Sequence, residues 1–140
     1  MKSLPAISAM AIALVSSFSA AASCTQANLA GTWTAQSVGQ DSTGRLAWTT
    51  CTVVVSSAGA FSATNSACLN SQGQSSPAQG SMKVFNAATC AFDGSLTLTS
   101  YRTTFYIRNL TVSLDHQTGS GIGGGGSYGG VFVFSMVKTK

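Results

Sequence analysis

Few residues in this chain can do chemistry. Its acids are Asp41, Asp93 and Asp115, there is no glutamate, and His116 is the one histidine. Hydrolytic acid and base work needs two carboxylates converging on one bond. Each aspartate instead falls in or beside a turn signal, where an Asp side chain bonds nearby backbone amides. Asp115 and His116 are adjacent, and neighbours on a strand point to opposite faces, so a serine triad does not assemble from them. The cysteines, Cys24, Cys51, Cys68 and Cys90, are too widely spaced for a zinc site and include no C-x-x-C pair. Gly119 to Gly130 lacks the lysine of a phosphate loop with the hydroxyl residue that follows it, and opens no helix. No catalytic residue, metal ligand or cofactor is therefore assigned, and the protein is expected not to be an enzyme.

One segment has recognition chemistry. Tyr101 to Arg108 interleaves aromatic residues with two arginines. If Arg102, Tyr106 and Arg108 share an outer face, they can stack on and pair with an anionic or sugar ligand. The alternative is an ordinary strand with solvated arginines. Seven Lys and Arg against three acids, in a chain only 7% charged, are too few and too dispersed for a nucleic-acid surface.

Lys2, the apolar run Leu4 to Phe18 and the small residues that follow have the layout of a secretory leader, with cleavage expected after Ala22. That run is shorter than the roughly 20 residues of a spanning helix, so no membrane span is expected. Residues 1–22 are thus read as a leader and 23–140 as one secreted or periplasmic domain. All four cysteines lie beyond the cut, and an even number in an exported chain reads as two disulfides. A lipid-bearing Cys24 is the competing reading, but it would strand three cysteines.

The elements that must position these residues are strands. Beyond the leader, Thr, Val, Phe, Tyr and Ser alternate in short runs between Gly, Asn, Asp and Ser, and no window has a helical period. The fold class expected is all-β: a single antiparallel barrel or sandwich of about eight strands. The first strand spans Gly31 to Val38 and the second runs from near Arg45 to Val55. Gly59 and Ala60 suit a two-residue turn into a third strand ending near Cys68. That register sets Cys51 opposite Cys68 at a non-hydrogen-bonded pair within bridging range, leaving Cys24 to Cys90.

Asn70 to Gly80, with Pro77, is read as an exposed loop. Strands at Met82–Phe85, Ala88–Phe92 and Ser95–Ser100 follow, with Asp93 and Gly94 in a tight hairpin. From Thr103 to Asp115 the apolar positions change parity, which calls for a bulge or bend near Arg108 and Asn109. Gly119 to Gly130 reads as a flexible loop, and Val131 to Val137, apolar at both parities, as a buried last strand.

The segment Asn28-Leu29-Ala30-Gly31-Thr32-Trp33 resembles the G-x-W start of the first strand in lipocalin-like (calycin) barrels. That resemblance implies an up-and-down barrel whose closed end is formed by Gly31, Trp33 and a basic residue late in the last strand, a place Lys138 fills. No biotin site of the avidin kind is carried over. The function expected is that of a secreted, non-catalytic, monomeric binding protein for a small apolar ligand. A partner-protein role, such as hydrolase inhibition through Asn70–Gly80 and Gly119–Gly130, is the alternative, followed by binding of an anionic cell-surface polymer.

Overall fold

The computed structural model describes residues 23–40, 43–125 and 130–140. The leader, Asp41 and the stretch 126–129 lie outside them. Eight strands close into one antiparallel barrel in sequence order: β1 (Gly31–Gln40), β2 (Leu46–Val55), β3 (Ala67–Asn70), β4 (Ser75–Asn86), β5 (Ala91–Leu98), β6 (Thr103–Val112), β7 (Thr118–Gly124) and β8 (Val131–Lys138). Closure comes from β1 pairing with β8 from Trp33 opposite Lys138 to Gly39 opposite Phe132. A barrel leaves no unpaired edge, which matters in a chain with so few charges to protect one.

Period two decides what is inside. Trp33, Val53, Val55, Met82, Phe92, Ile107, Leu110, Val112 and Met136 point inward and form one core with Leu29 and Phe61. Cys51 faces Cys68 with a Cα separation of 4.0 Å, and their disulfide staples β2 to the four-residue β3. The turn before β3 is not the expected one. Ser56 accepts the Gly59 amide and donates its own to Ala60, so the loop is Ser57 to Gly59, with Gly59 at positive φ. Val55 then faces Phe61, three positions out of step with the cysteine register. The irregular segment from Ser62 to Ser66 absorbs the difference, its Ser66 hydroxyl accepting the Val54 amide.

Other expectations are corrected. Residues from Ser75 onward are strand rather than loop, with Ser76 and Ala78 buried on the inner face. Pro77 is tolerated because its carbonyl takes the Thr99 amide, while the donor it lacks would fall beyond the end of β5. Only two strands, β4 and β5, occupy Ser75 to Leu98, so the hairpin turn lies at residues 87–90 and not at Asp93 and Gly94. Gly94 is within β5 because β4 crosses too closely for a side chain; a Cβ there would run into the Ser81 carbonyl.

The glycine-rich stretch likewise opens as strand β7, not as loop. A Cβ at Gly121 or Gly123 would meet the Phe134 or Phe132 ring, so this strand is a wall of empty space filled by aromatics from β8. β8 is buried on one face only: Met136 points in, while Val131, Val133 and Val137 are exposed.

The parity change in β6 is a bulge at Arg108 and Asn109, between the pairs Gly94–Ile107 and Phe92–Leu110. Asn109 adopts the left-handed conformation there, and its amide donates to Asp93 Oδ1 at 2.9 Å. One aspartate thereby anchors the extra residue that returns Leu110 and Val112 to the core.

Candidate binding site at the open end of the barrel

The two ends of the barrel differ. At one, a 3-10 turn, Gln26–Leu29, lies across the opening. Leu29 and Trp33 are wholly buried, and the Trp33 indole N–H donates to the Leu29 carbonyl at 2.7 Å. The Lys138 ammonium stands 5.4 Å from the Trp33 ring centroid and donates to the Asn28 carbonyl at 3.4 Å. Gln26 bridges to β4, donating to the Met82 carbonyl and accepting the Val84 amide. The Cys24–Cys90 disulfide ties this plug to the β4–β5 turn. Gly31, Trp33 and Lys138 are thus brought together at the closed end.

Among the described residues, none lies across the opposite end as a plug. An apolar chamber of about 90 Å³ lies in the barrel, walled by the Cys51–Cys68 bridge, Met82, Leu96, Phe105, Phe134 and Met136 among others. Above it a wider vestibule of about 300 Å³ is bounded by Arg45, Trp48, Gln72, Tyr101, Phe105 and Phe132. Ser37, Thr49, Leu98, Phe105 and Phe132 line both, so the two spaces adjoin at these residues. The chamber is smaller than the ~150 Å³ cavity known to hold a benzene ring, while the vestibule is at the lower end of the ~300–1,000 Å³ typical of ligand pockets. The space is therefore widest at the mouth and narrowest in the apolar chamber below.

Sequence reasoning missed this mouth. Its lining comes from strands β1, β2, β5, β6 and β8 together with the β3–β4 turn, and no local pattern marks residues that meet only on closure. The arginine segment is only partly assembled. Tyr106 and Arg108 share the outer face of β6, the guanidinium 5.8 Å from the ring centroid. Arg102 is outside that strand, in the preceding turn at positive φ. Arg108 also reaches Asp93, with an N to O distance of 3.7 Å.

Asp115 and His116 have local partners. Asp115 accepts hydrogen bonds from the Ser113 hydroxyl and the Gln117 amide, which hold its carboxyl below the usual value. His116 is half-buried with its Nε2 3.4 Å from Cys24 Sγ. Cys24, Cys90 and His116 do converge, but the two sulfurs are bonded to each other, leaving one imidazole as a donor.

These features define a small, disulfide-bonded, closed eight-stranded β-barrel with one plugged and one open end. A solved structure of a redesigned β-barrel resembles it with a TM-score of 0.57 at 16% identity, over 84% of this chain and 99% of that one. At that identity the likeness carries the fold alone. No protein-family model matches the chain. No curated protein matches it in sequence. No helix among the described residues is long and apolar enough to cross a membrane. Two disulfides suit an oxidising compartment.

Proposed function

We propose that this is a secreted or periplasmic, non-catalytic binding protein that takes a small apolar ligand into the open end of its barrel. The observation that carries the reading is the apolar chamber adjoining a wider vestibule at the end opposite the plug. Burying apolar ligand surface there is favourable by roughly 25 cal/mol per Å². Trp48, Tyr101, Gln72 and Arg45 around the mouth supply the few polar and aromatic groups that orient such a ligand. Lipocalin-like ancestry is part of the proposal, supported by Gly31, Trp33 and Lys138 meeting at the closed end. The non-catalytic reading is supported by where the two acids among the described residues are used: Asp93 anchors a bulge and Asp115 a turn.

Native mass spectrometry of the exported protein, with titration of an apolar fluorescent probe, tests this. A retained small molecule or saturable probe uptake, competed by a bulky Leu98→Trp substitution in the shared lining, is expected. Protein that is empty and takes up no probe sinks the proposal.

A further inference from the structure

The chamber and the vestibule differ in what they can hold. Of the side chains lining the chamber only Ser37 and Thr49 are polar, and both also line the vestibule. One inward step deeper, Ala35 stands opposite Cys51, and the step after that sets Trp33 opposite Val53, where the plug begins. A polar group carried past Ser37 and Thr49 therefore meets side chains of carbon and sulfur only. Burying it there without a partner is costly. The vestibule instead has Gln40, Asn70, Gln72 and Tyr101 among its lining, and no acid is among the described residues around it.

The boundary between the two spaces is set by rings. Phe105 and Phe132 line both, packed edge to face with centroids 5.6 Å apart. Below them, the chamber of about 90 Å³ is smaller than the ~150 Å³ cavity known to hold benzene. A flat ring has too little room there, whereas a chain one methylene wide fits. We infer that the ligand is a single-chain amphiphile, whose unbranched alkyl tail passes Phe105 and Phe132 into the chamber while its polar head stays in the vestibule. This rests on the binding role proposed above and adds the chemical class of the ligand. Phe105 and Phe132 are then the residues that select a linear tail over a ring. Each methylene that enters the chamber raises affinity about fourfold, until the chamber is full.

Isothermal titration calorimetry of the exported, disulfide-bonded protein tests this with a series of linear 1-alkanols. Cyclohexyl-tipped and phenyl-tipped alkanols and α,ω-diols of matched carbon number are compared with them, all below the concentrations at which they self-associate. Affinity should climb about fourfold per methylene along the linear series and then level off. The ring-tipped alcohols and the diols should bind at least ~10-fold more weakly, the first for want of room and the second because a hydroxyl enters the chamber. Phe105→Ala should remove most of the penalty on the rings, and Ala35→Leu, which fills the chamber from β1, should bring the plateau at a shorter tail. Far-ultraviolet circular dichroism verifies that both variants fold, and the ring and diol comparisons in the unaltered protein stand without them. Ring-tipped alcohols or diols that bind as tightly as the linear alcohols overturn the inference and leave the binding role standing. Ring discrimination that persists in a folded Phe105→Ala overturns the assignment of the selection to the two phenylalanines. A protein that binds no member of the series and takes up no apolar fluorescent probe overturns both readings.

Discussion

The Lys138 ammonium lies 5.4 Å from the centre of the Trp33 ring and is directly opposite it in the β1–β8 pairing. One contact therefore joins the first strand to the last at the place where the barrel closes. The Trp33 indole is simultaneously fixed by the Leu29 carbonyl, so the plug, the ring and the lysine hold one another. Replacing Lys138 by Met keeps most of the apolar stem but removes the charge over the ring and the bond to Asn28. A loss of about 1–2 kcal/mol is expected in urea denaturation. Lys138→Arg should recover most of it, and an unchanged midpoint for Lys138→Met would mean the contact does not hold the closed end.

The two disulfides should differ in worth. Cys24 and Cys90 are 66 residues apart and Cys51 and Cys68 are 17 apart. Loop-closure entropy alone assigns about 4 kcal/mol to the longer cross-link and about 3 to the shorter. Paired Cys→Ala variants compared by chemical denaturation should show the Cys24/Cys90 pair to be the more damaging. Release of the plug carrying Leu29 reinforces that order. The reverse order would place the dominant effect at the short β3, where the shorter bridge is the staple.

What the sequence made legible was the part governed by local period and turn chemistry. β1 and β2 follow alternation closely, and the parity break in β6 located a bulge because Leu110 and Val112 had to return inside. The cysteine register emerged although the turn proposed for it does not form, since Ser62 to Ser66 restores the three positions that the real turn removes. β7 was illegible for a physical reason: its inner face is glycine, and the apolar atoms opposite belong to Phe132 and Phe134. β8 misled in the other direction. Apolar residues at both parities normally mean burial on both faces, yet a strand in a closed barrel has only one inner face. The mouth was out of reach because its lining meets only after closure.

Acid should loosen the β6–β7 turn before the barrel. The Ser113 hydroxyl and then the Gln117 amide lower the Asp115 pKa in the folded protein. The folded value lies below the unfolded one, so the stabilisation is present above the unfolded pKa and is lost as pH falls through the folded pKa. The window is therefore at and below about pH 4. Protection of the Gln117 and Thr118 amides, relative to their intrinsic exchange rates, should fall there in the native protein, and Asp115→Asn should abolish that pH dependence. Protection that is unchanged from about pH 5 to about pH 2 in the native protein would contradict the assignment.

Asp93 does two jobs on the outer face, and they should separate by magnitude. Its Oδ1 accepts the bulge amide of Asn109, a charge-assisted bond to a residue that has no opposite number in the pairing with either neighbouring strand. Its Oδ2 faces the Arg108 guanidinium at 3.7 Å, but that arginine side chain is 61% exposed. A solvated ion pair is worth at most about 1 kcal/mol, whereas loss of the amide acceptor costs about 1.5–3 kcal/mol. Asp93→Ala should therefore destabilise markedly, Asp93→Asn much less because its side-chain oxygen still accepts, and Arg108→Ala hardly at all. A double-mutant cycle between positions 93 and 108 decides the matter. A coupling energy as large as the Asp93→Ala loss would transfer the effect to the ion pair and leave the bulge without its anchor.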